Sequence, residues 1–247
     1  MNILLLLPEE KVESGIFKVS DRKASHLLQI LKTQENDTVR AGVLNDCKGQ
    51  FRVIEIDRAR RTVTGEFCAE SLAVKSALSK IIFLSAYQRP QTVKKILNSA
   101  AVCGVGGIYF FPMDKSEKSY ETSSLWKKEE YKEELYLGLE QGSRVILPEI
   151  RTYARKSDLL AFISRFTVLL EPSGKVMMSD AAEMLEAEDK LFFLLGPESG
   201  FSPRETDLYK NMKVKTLSLS ESVLRSEQAF LFAISQAELI LRNNSIE

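Results

Sequence analysis

Leu191 to Glu205 reads LFFLLGPESGFSPRE, and three physical signals follow one another in it. Five consecutive apolar residues, Leu191 to Leu195, are the pattern of a strand buried on both faces, as in a parallel sheet covered by helices. Gly196-Pro197 closes the run, and Gly196 and Gly200 allow close backbone approach to a ligand or a positive φ. Ser202-Pro203-Arg204-Glu205 is a Ser-x-x-Glu capping box with proline at the first helical position, so a helix begins there. Strand, glycine-bearing turn and helix in succession are the unit of an open α/β sheet, in which ligands sit past the carboxyl ends of the strands.

The same alternation extends in both directions. Ile81–Ala86, Gly107–Phe111, Phe166–Leu170 and Val214–Leu219 read as strands, and Thr92–Cys103, Trp126–Gln141, Pro203–Asn211 and Glu227–Arg242 as helices. In the last helix Phe230, Ile234, Ala237 and Leu241 form one apolar stripe, with Ser226 as its expected N-cap. Upstream the pattern changes. Residues 1 to about 70 are mostly short alternating strands, and Asn45-Asp46-Cys47-Lys48-Gly49 makes a hairpin connection between Val39–Leu44 and Phe51–Ile56. Only Asp21–Leu31 is helical there, with His26, Leu27, Ile30 and Leu31 at helical spacing. The expectation is a small β-barrel-like domain over 1–72, a polar linker within 70–80, and an α/β domain over 73–247.

Composition narrows the function classes. Lys+Arg and Asp+Glu are equal at 34 each, so no bulk charge draws the protein to nucleic acid, and RNA binding would need local patches. One histidine and three scattered cysteines, Cys47, Cys68 and Cys103, make a Cys/His metal site an unsupported reading and suit a reducing cytoplasm. The start, MNILLLLPEE, is read as a buried strand rather than a signal peptide, and no stretch approaches a membrane span. The turn after Leu195 is neither a Walker A loop nor Gly-x-Gly-x-x-Gly, and no Gly-x-Ser-x-Gly elbow occurs. Two further strand ends carry turn residues: Leu170-Glu171-Pro172-Ser173-Gly174, and Leu217 through Arg225.

Four motifs in one order carry a resemblance. Gly196-Pro197-Glu198-Ser199-Gly200-Phe201-Ser202 is similar to Gly-Pro-Glu-Gly-Gly-Phe-Ser, and Leu224-Arg225-Ser226-Glu227-Gln228-Ala229 to Leu-Arg-Thr-Glu-Thr-Ala. Glu140-Gln141-Gly142-Ser143-Arg144, followed by Pro148-Glu149-Ile150, resembles Glu-Gln-Ser-Gly-Arg with its later Pro-x-Ile. His26-Leu27-Leu28-Gln29-Ile30-Leu31-Lys32 resembles His-x-x-x-Val-Leu-Arg. Over nearly its whole length the chain resembles the RsmE-type 16S rRNA (uracil-N3)-methyltransferases of the SPOUT superfamily.

That resemblance implies a PUA-like RNA-binding β-barrel followed by a SPOUT α/β domain tied in a C-terminal trefoil knot. It implies S-adenosyl-L-methionine (SAM) as cofactor, held in the knotted loops, and a homodimer with the site near its interface. The partner it implies is 16S rRNA or the assembled small ribosomal subunit, with no membrane and no metal. On this basis the expected cofactor-binding residues are Leu170, Glu171, Pro172, Leu195, Gly196, Pro197, Glu198, Gly200, Leu217, Leu219, Val223 and Leu224. Arg225 is expected to stabilise charge on the target base, and Glu227 to orient Arg225 or help move the proton. RNA candidates are Arg22, Lys23, His26 and Lys32 on the N-terminal helix, and Arg58, Arg60 and Arg61 in a barrel loop.

The sequence departs from the family pattern at several points. Ser199 replaces a glycine, Leu219-Ser220-Glu221-Ser222 replaces Leu-Gly-x-Arg, Gln228 replaces a threonine, and Lys32 an arginine. Ala100-Ala101-Val102-Cys103-Gly104-Val105 lacks the acidic residue of Ala-Thr-Glu-Leu-Gly-Val. Two other readings stay open on these departures: a non-catalytic RNA-binding paralogue acting in ribosome assembly, and a methyltransferase for another RNA position.

Overall fold

The computed structural model describes residues 2–174, 177–181, 184 and 190–243. The chain has a mixed α/β fold and divides into two compact units. One comprises Met1–Val74 with Tyr136–Leu147, and the other Lys75–Leu135 with Pro148–Glu247. The segment 136–147 therefore packs with the N-terminal strands, which a single cut between 72 and 73 does not anticipate.

The first unit is a six-stranded sheet: β1 (Leu4–Leu6), β2 (Lys11–Glu13), β3 (Ile16–Val19), β4 (Thr38–Val43), β5 (Cys47–Asp57) and β6 (Thr62–Leu72), ordered β1-β4-β5-β6-β3-β2. The β1–β4 pair is parallel and the rest antiparallel. Alternation places Phe51 and Val53 in the core while Arg52 faces solvent, and Leu4, Leu6, Phe17, Val19 and Val63 complete the cluster. The expected helix over 21–31 is α1 (Asp21–Ser25) running into a wider π turn, His26–Ile30, closed by the Leu31 N–H donating to the His26 carbonyl at 3.0 Å. The change of period takes Ile30 and Leu31 off the apolar face: Leu27 is fully buried, but Ile30 is 67% exposed and Leu31 47%.

The 140–144 motif has a structural role in this unit. Arg22 donates to both carboxylate oxygens of buried Glu140, at 2.7 and 3.2 Å, and the Asn2 N–H donates to the Glu140 carbonyl.

The second unit is an all-parallel six-stranded sheet. Its strands are β7 (Ile81–Ala86), β8 (Gly107–Phe111), β9 (Glu149–Thr152), β10 (Thr167–Leu170), β11 (Leu191–Leu195) and β12 (Lys215–Leu217), ordered β12-β10-β11-β7-β8-β9. The continuous apolar runs of β7, β8, β10 and β11 are buried throughout or nearly so, as two covered faces require. Its helices are α2 (Pro90–Cys103), α3 (Lys118–Glu121), α4 (Ser124–Lys127), α6 (Pro203–Asn211) and α7 (Ser226–Asn243), while α5 (Tyr131–Gln141) begins in this unit and ends in the first. The α7 stripe of Phe230, Ile234, Ala237 and Leu241 is buried, with the Phe230 ring 4.2 Å from that of Phe83 on β7.

Three local expectations are corrected. The helix read over 126–141 is two, α4 and α5, broken where Glu129 takes φ +55°; with no glycine or proline there, nothing in the sequence marks the break. The strand read over 214–219 is only Lys215–Leu217, because Ser218 and Leu219 leave the sheet. The linker read within 70–80 is partly structured: β6 continues to Leu72, and Ser76 caps a turn at Ala77–Lys80 by accepting from the Leu78 N–H at 3.2 Å.

Among the described residues no helix is long and apolar enough to cross a membrane, and no group of three or more His, Cys, Asp or Glu is placed to hold a metal ion.

Candidate active site

Parallel strands end at one edge of a sheet, so the loops that follow them are gathered there whatever their separation in sequence. In the second unit the ends of β7, β10, β11 and the chain beyond β12 surround a cavity of about 740 Å³. That volume lies within the usual range for small-molecule sites. Leu170, Glu171 and Pro172 come from the β10 end; Leu195, Gly196, Pro197, Glu198 and Gly200 from the β11 end. Leu219, Val223 and Leu224 come from the last crossover, and Arg225 and Glu227 from the start of α7. Leu217 is the one expected cofactor residue outside the lining. It is fully buried in β12, and its carbonyl accepts from the Glu171 N–H at 3.1 Å, so it supports the loop from beneath.

The two glycines of the β11 turn have different jobs. A Cβ on Gly196 would lie 2.9 Å from the Phe201 ring, so its absence lets Phe201 fold back under the turn. Gly200 has φ +71°, and its N–H donates to the Pro197 carbonyl at 2.8 Å. Ser199, where the family pattern has glycine, does not carry a positive φ, so a side chain there strains nothing. It is fastened to the loop after β8: Lys115 Nζ donates to the Ser199 carbonyl at 3.2 Å.

The capping box expected at Ser202 is formed. Ser202 Oγ accepts from the Glu205 N–H at 3.1 Å, and Glu205 Oε2 from the Ser202 N–H at 2.9 Å. Glu205 is 1% exposed, and its other oxygen accepts from the Asp114 N–H at 2.9 Å and from Lys156 at 3.4 Å. Lys156 and Ser202 also hold the Asp114 carboxylate, keeping it below the usual aspartate value. One buried carboxylate thus ties the β8 loop to the glycine turn.

The departures in the last crossover also have local partners. Ser220 Oγ accepts from the Ser222 N–H at 3.0 Å, Ser218 Oγ donates to the Ser220 carbonyl at 3.1 Å, and Gln236 holds the Leu219 carbonyl at 2.9 Å. Ser226 is not the N-cap. The helix begins at Ser226 itself, the Arg225 carbonyl accepts from the Ala229 N–H, and Gln228 Oε1 accepts from the Arg225 N–H at 2.9 Å. Gln228 in place of threonine therefore fixes the backbone of Arg225.

The direct hydrogen bond and ion pair of Glu227 go to Lys95 of α2, at 3.1 Å, while Arg225 acts on it only through its charge. Burial raises the Glu227 pKa, but its own backbone N–H and Lys95 outweigh that and hold it below the ordinary value. Glu198 accepts from the Arg89 N–H at 3.3 Å and from Thr92 Oγ1 at 3.1 Å. Glu171 is half-buried, and desolvation raises its pKa against the pull of Lys115.

Arg89, Thr92 and Lys95 line the cavity and were not read from the sequence. Neither was Gln88, which is 1% exposed and donates to the Gly196 carbonyl at 3.1 Å. The signal was present: Gln88-Arg89-Pro90 marks a strand end running into a helix, a fourth position of the same kind as the three singled out.

The RNA candidates lie in the first unit. Lys23 is 7% exposed and gives both its contacts to Glu10, at 2.7 and 2.8 Å, so it is an interior ion pair and not a surface cation. Arg22 is engaged by Glu140, and desolvation chiefly, with the chain's amino terminus, lowers the His26 pKa. Lys32, Arg58, Arg60 and Arg61 are exposed, the last three in the turn between β5 and β6.

The cavity has the size of a small-molecule site and mixes apolar walls with charged groups and turn backbone.

Comparison with known proteins agrees with this geometry. The RNA methyltransferase domain family matches residues 75–238. The ribosomal RNA small subunit methyltransferase E 1 of Borreliella burgdorferi is 28% identical over 246 residues, covering 97% of this chain and 99% of its own. The ribosomal RNA small subunit methyltransferase E of Treponema pallidum is 25% identical, covering 98% and 91%. Among solved structures, a putative methyltransferase from Legionella pneumophila with bound SAM superposes with a TM-score of 0.77 at 17% identity, covering 97% of this chain and 98% of that one. The Neisseria gonorrhoeae ribosomal RNA small subunit methyltransferase E bound to SAM gives 0.76 at 16%, covering 96% and 97%. The relatives carry the name of the family to which the four motifs pointed, and the matched domain spans the whole cavity lining: the chain belongs to the RNA methyltransferase family.

Proposed function

We propose that this protein transfers a methyl group from SAM to N3 of a uridine in 16S rRNA of the small ribosomal subunit. The observation that carries the proposal is the convergence of four chain segments on one cavity holding three carboxylates and Arg225. Solved proteins of the same fold hold SAM. The side chains of three departures, Ser199, Ser220 and Gln228, each hydrogen-bond to loop backbone, which favours a working site over a decayed one.

When bound, SAM supplies an electrophilic methyl carbon on a sulfur that leaves as a neutral thioether. No acid is needed for the leaving group, so the chain's residues must act on the nucleophile. Uracil N3 carries a hydrogen and attacks only as that proton departs. Arg225, its backbone fixed by Gln228, is assigned to the negative charge that grows on the base. The target uridine must be unpaired or flipped to reach the cavity.

The first unit is assigned as a PUA-like barrel presenting Arg58, Arg60 and Arg61 to rRNA. A trefoil knot in the second unit is the finer reading; it accords with the close approach of the loop after β10 to the chain leaving β12, where a Cβ on Gly174 would lie 2.6 Å from the backbone of Leu217 and Ser218. The chain also returns from edge strand β12 to pack α7 against α2. The homodimer with the site near its interface is carried by the family resemblance. No disulfide joins Cys47, Cys68 and Cys103, which accords with a cytoplasmic setting.

Titration calorimetry with SAM, and mass spectrometry of 16S rRNA nucleosides from cells with and without the gene, test the reading. Binding heat, and loss of one 3-methyluridine on deletion, are expected. No heat, or an unchanged nucleoside profile, would refute it.

A further inference from the structure

Methylation at a nitrogen that carries hydrogen releases a proton, and the three carboxylates of the cavity are not equally free to take it. Glu198 is occupied by the Arg89 N–H and Thr92 Oγ1, and Glu227 by Lys95. Glu171 makes no side-chain hydrogen bond or ion pair with any described residue, although its main chain is held on both sides. Its N–H donates to the Leu217 carbonyl at 3.1 Å, and its carbonyl accepts from the Gly174 N–H at 2.9 Å. The Glu171 backbone is thus fixed at the end of β10, and the residue lines the cavity with no side-chain bond to another described residue to break before it acts.

We propose that Glu171 is the group that accepts the proton from the target nitrogen, an assignment that rests on the methyltransferase reading above. The N–H bond breaks with its electron pair left on nitrogen, and the proton passes to a Glu171 carboxylate oxygen. The nitrogen pair forms the bond to the methyl carbon as the carbon–sulfur bond breaks and its pair returns to sulfur. One negative and one positive charge disappear together, a neutralisation that a half-buried site favours over separated ions.

The charge environment suits the role. Arg89 and Lys95 of α2, Arg225 and Glu227 of α7, and Glu198 of the β11 turn also line the cavity. Desolvation raises the Glu171 carboxyl above the ordinary glutamate value, and Lys115 of the β8 loop alone draws it back. A base drawn toward neutrality is a better match to proton transfer near neutral pH than the depressed Glu227.

Glu171→Gln keeps the shape and removes the base. Three readouts test it on the full-length protein. Carbon-13 NMR of labelled glutamate carboxyls, with the variant identifying the signal, should place the Glu171 midpoint above that of a free glutamate, about 4.3. Calorimetry with SAM should give a dissociation constant within about threefold of wild type. Turnover on small-subunit rRNA should fall about 10²–10⁴-fold, the acid limb of the rate profile should vanish, and Glu171→Asp should restore part of the rate. A variant that turns over at the wild-type rate would overturn the proposal. So would SAM affinity falling in step with turnover, which would make Glu171 a cofactor ligand. If wild-type protein itself neither binds SAM nor methylates rRNA, the functional reading fails, and that outcome is distinct from either of these.

Discussion

Glu205→Ala offers the sharpest test of how the glycine turn is held. The carboxylate is buried, and it accepts from two backbone N–H groups, Ser202 at 2.9 Å and Asp114 at 2.9 Å, besides Lys156. Truncation leaves two donors without a charged acceptor, at about 1–3 kcal/mol each. The Lys156 side chain is 34% exposed, so its ion pair adds little. Asp114 lies at the surface and water can reach its side of the gap, so the lower half of the range applies: about 3 kcal/mol in all. For a chain of this size that is roughly 6–12 °C in melting temperature. The loss should appear in differential scanning calorimetry as a lowered transition for the second unit. SAM affinity should fall as well, because Ser202 and Asp114 no longer anchor the turn that carries Gly196 to Gly200. Glu205→Gln keeps one acceptor and should sit between. A Glu205→Ala protein melting within about 2 °C of wild type, where a single kcal/mol would already show, would refute the claim that this carboxylate bridges the β8 loop to the turn.

Arg225→Ala should reduce turnover about 10²–10³-fold with SAM affinity nearly unchanged, measured by methyl transfer and calorimetry; normal turnover would remove Arg225 from the chemistry. His26 has a lowered folded-state pKa, so the unfolded chain binds the extra proton. Its contribution to stability is present above the ordinary histidine value, about 6.5, and is lost as pH falls through the folded value. Urea denaturation from pH 8 to 5 should show that slope, and His26→Gln should flatten it. Replacing Arg58, Arg60 and Arg61 together by alanine should weaken rRNA binding and reduce its salt slope by about 2–3, measured across potassium chloride concentrations. Lys23→Ala should instead destabilise the first unit and leave the salt slope alone, because Lys23 faces Glu10 and not solvent.

The parts legible in the sequence are those governed by local rules. A strand covered on both faces must be apolar throughout, so Leu191–Leu195 and Ile81–Ala86 announced a parallel sheet. Ser202 and Glu205 are three residues apart and bond across one helical turn, so the capping box needed no tertiary knowledge. The stripe of Phe230, Ile234, Ala237 and Leu241 is set by helical period alone. Because parallel strands share a carboxyl edge, naming strand ends also located the cavity loops.

Tertiary structure alone decided which distant groups meet. Strand order β12-β10-β11-β7-β8-β9 places α2 beside α7, and only then does Lys95 reach Glu227 in place of Arg225. Nothing in the spacing of Glu140 from Arg22, or of Lys23 from Glu10, foretells that those charges neutralise each other inside the first unit. The break at Glu129 and the π turn after Ser25 are likewise backbone outcomes without a marker residue. The physical reason is common to all of these. Periodicity and capping act over a few residues, whereas a charge finds its partner across the fold, where burial leaves an unpaired ion too costly to keep.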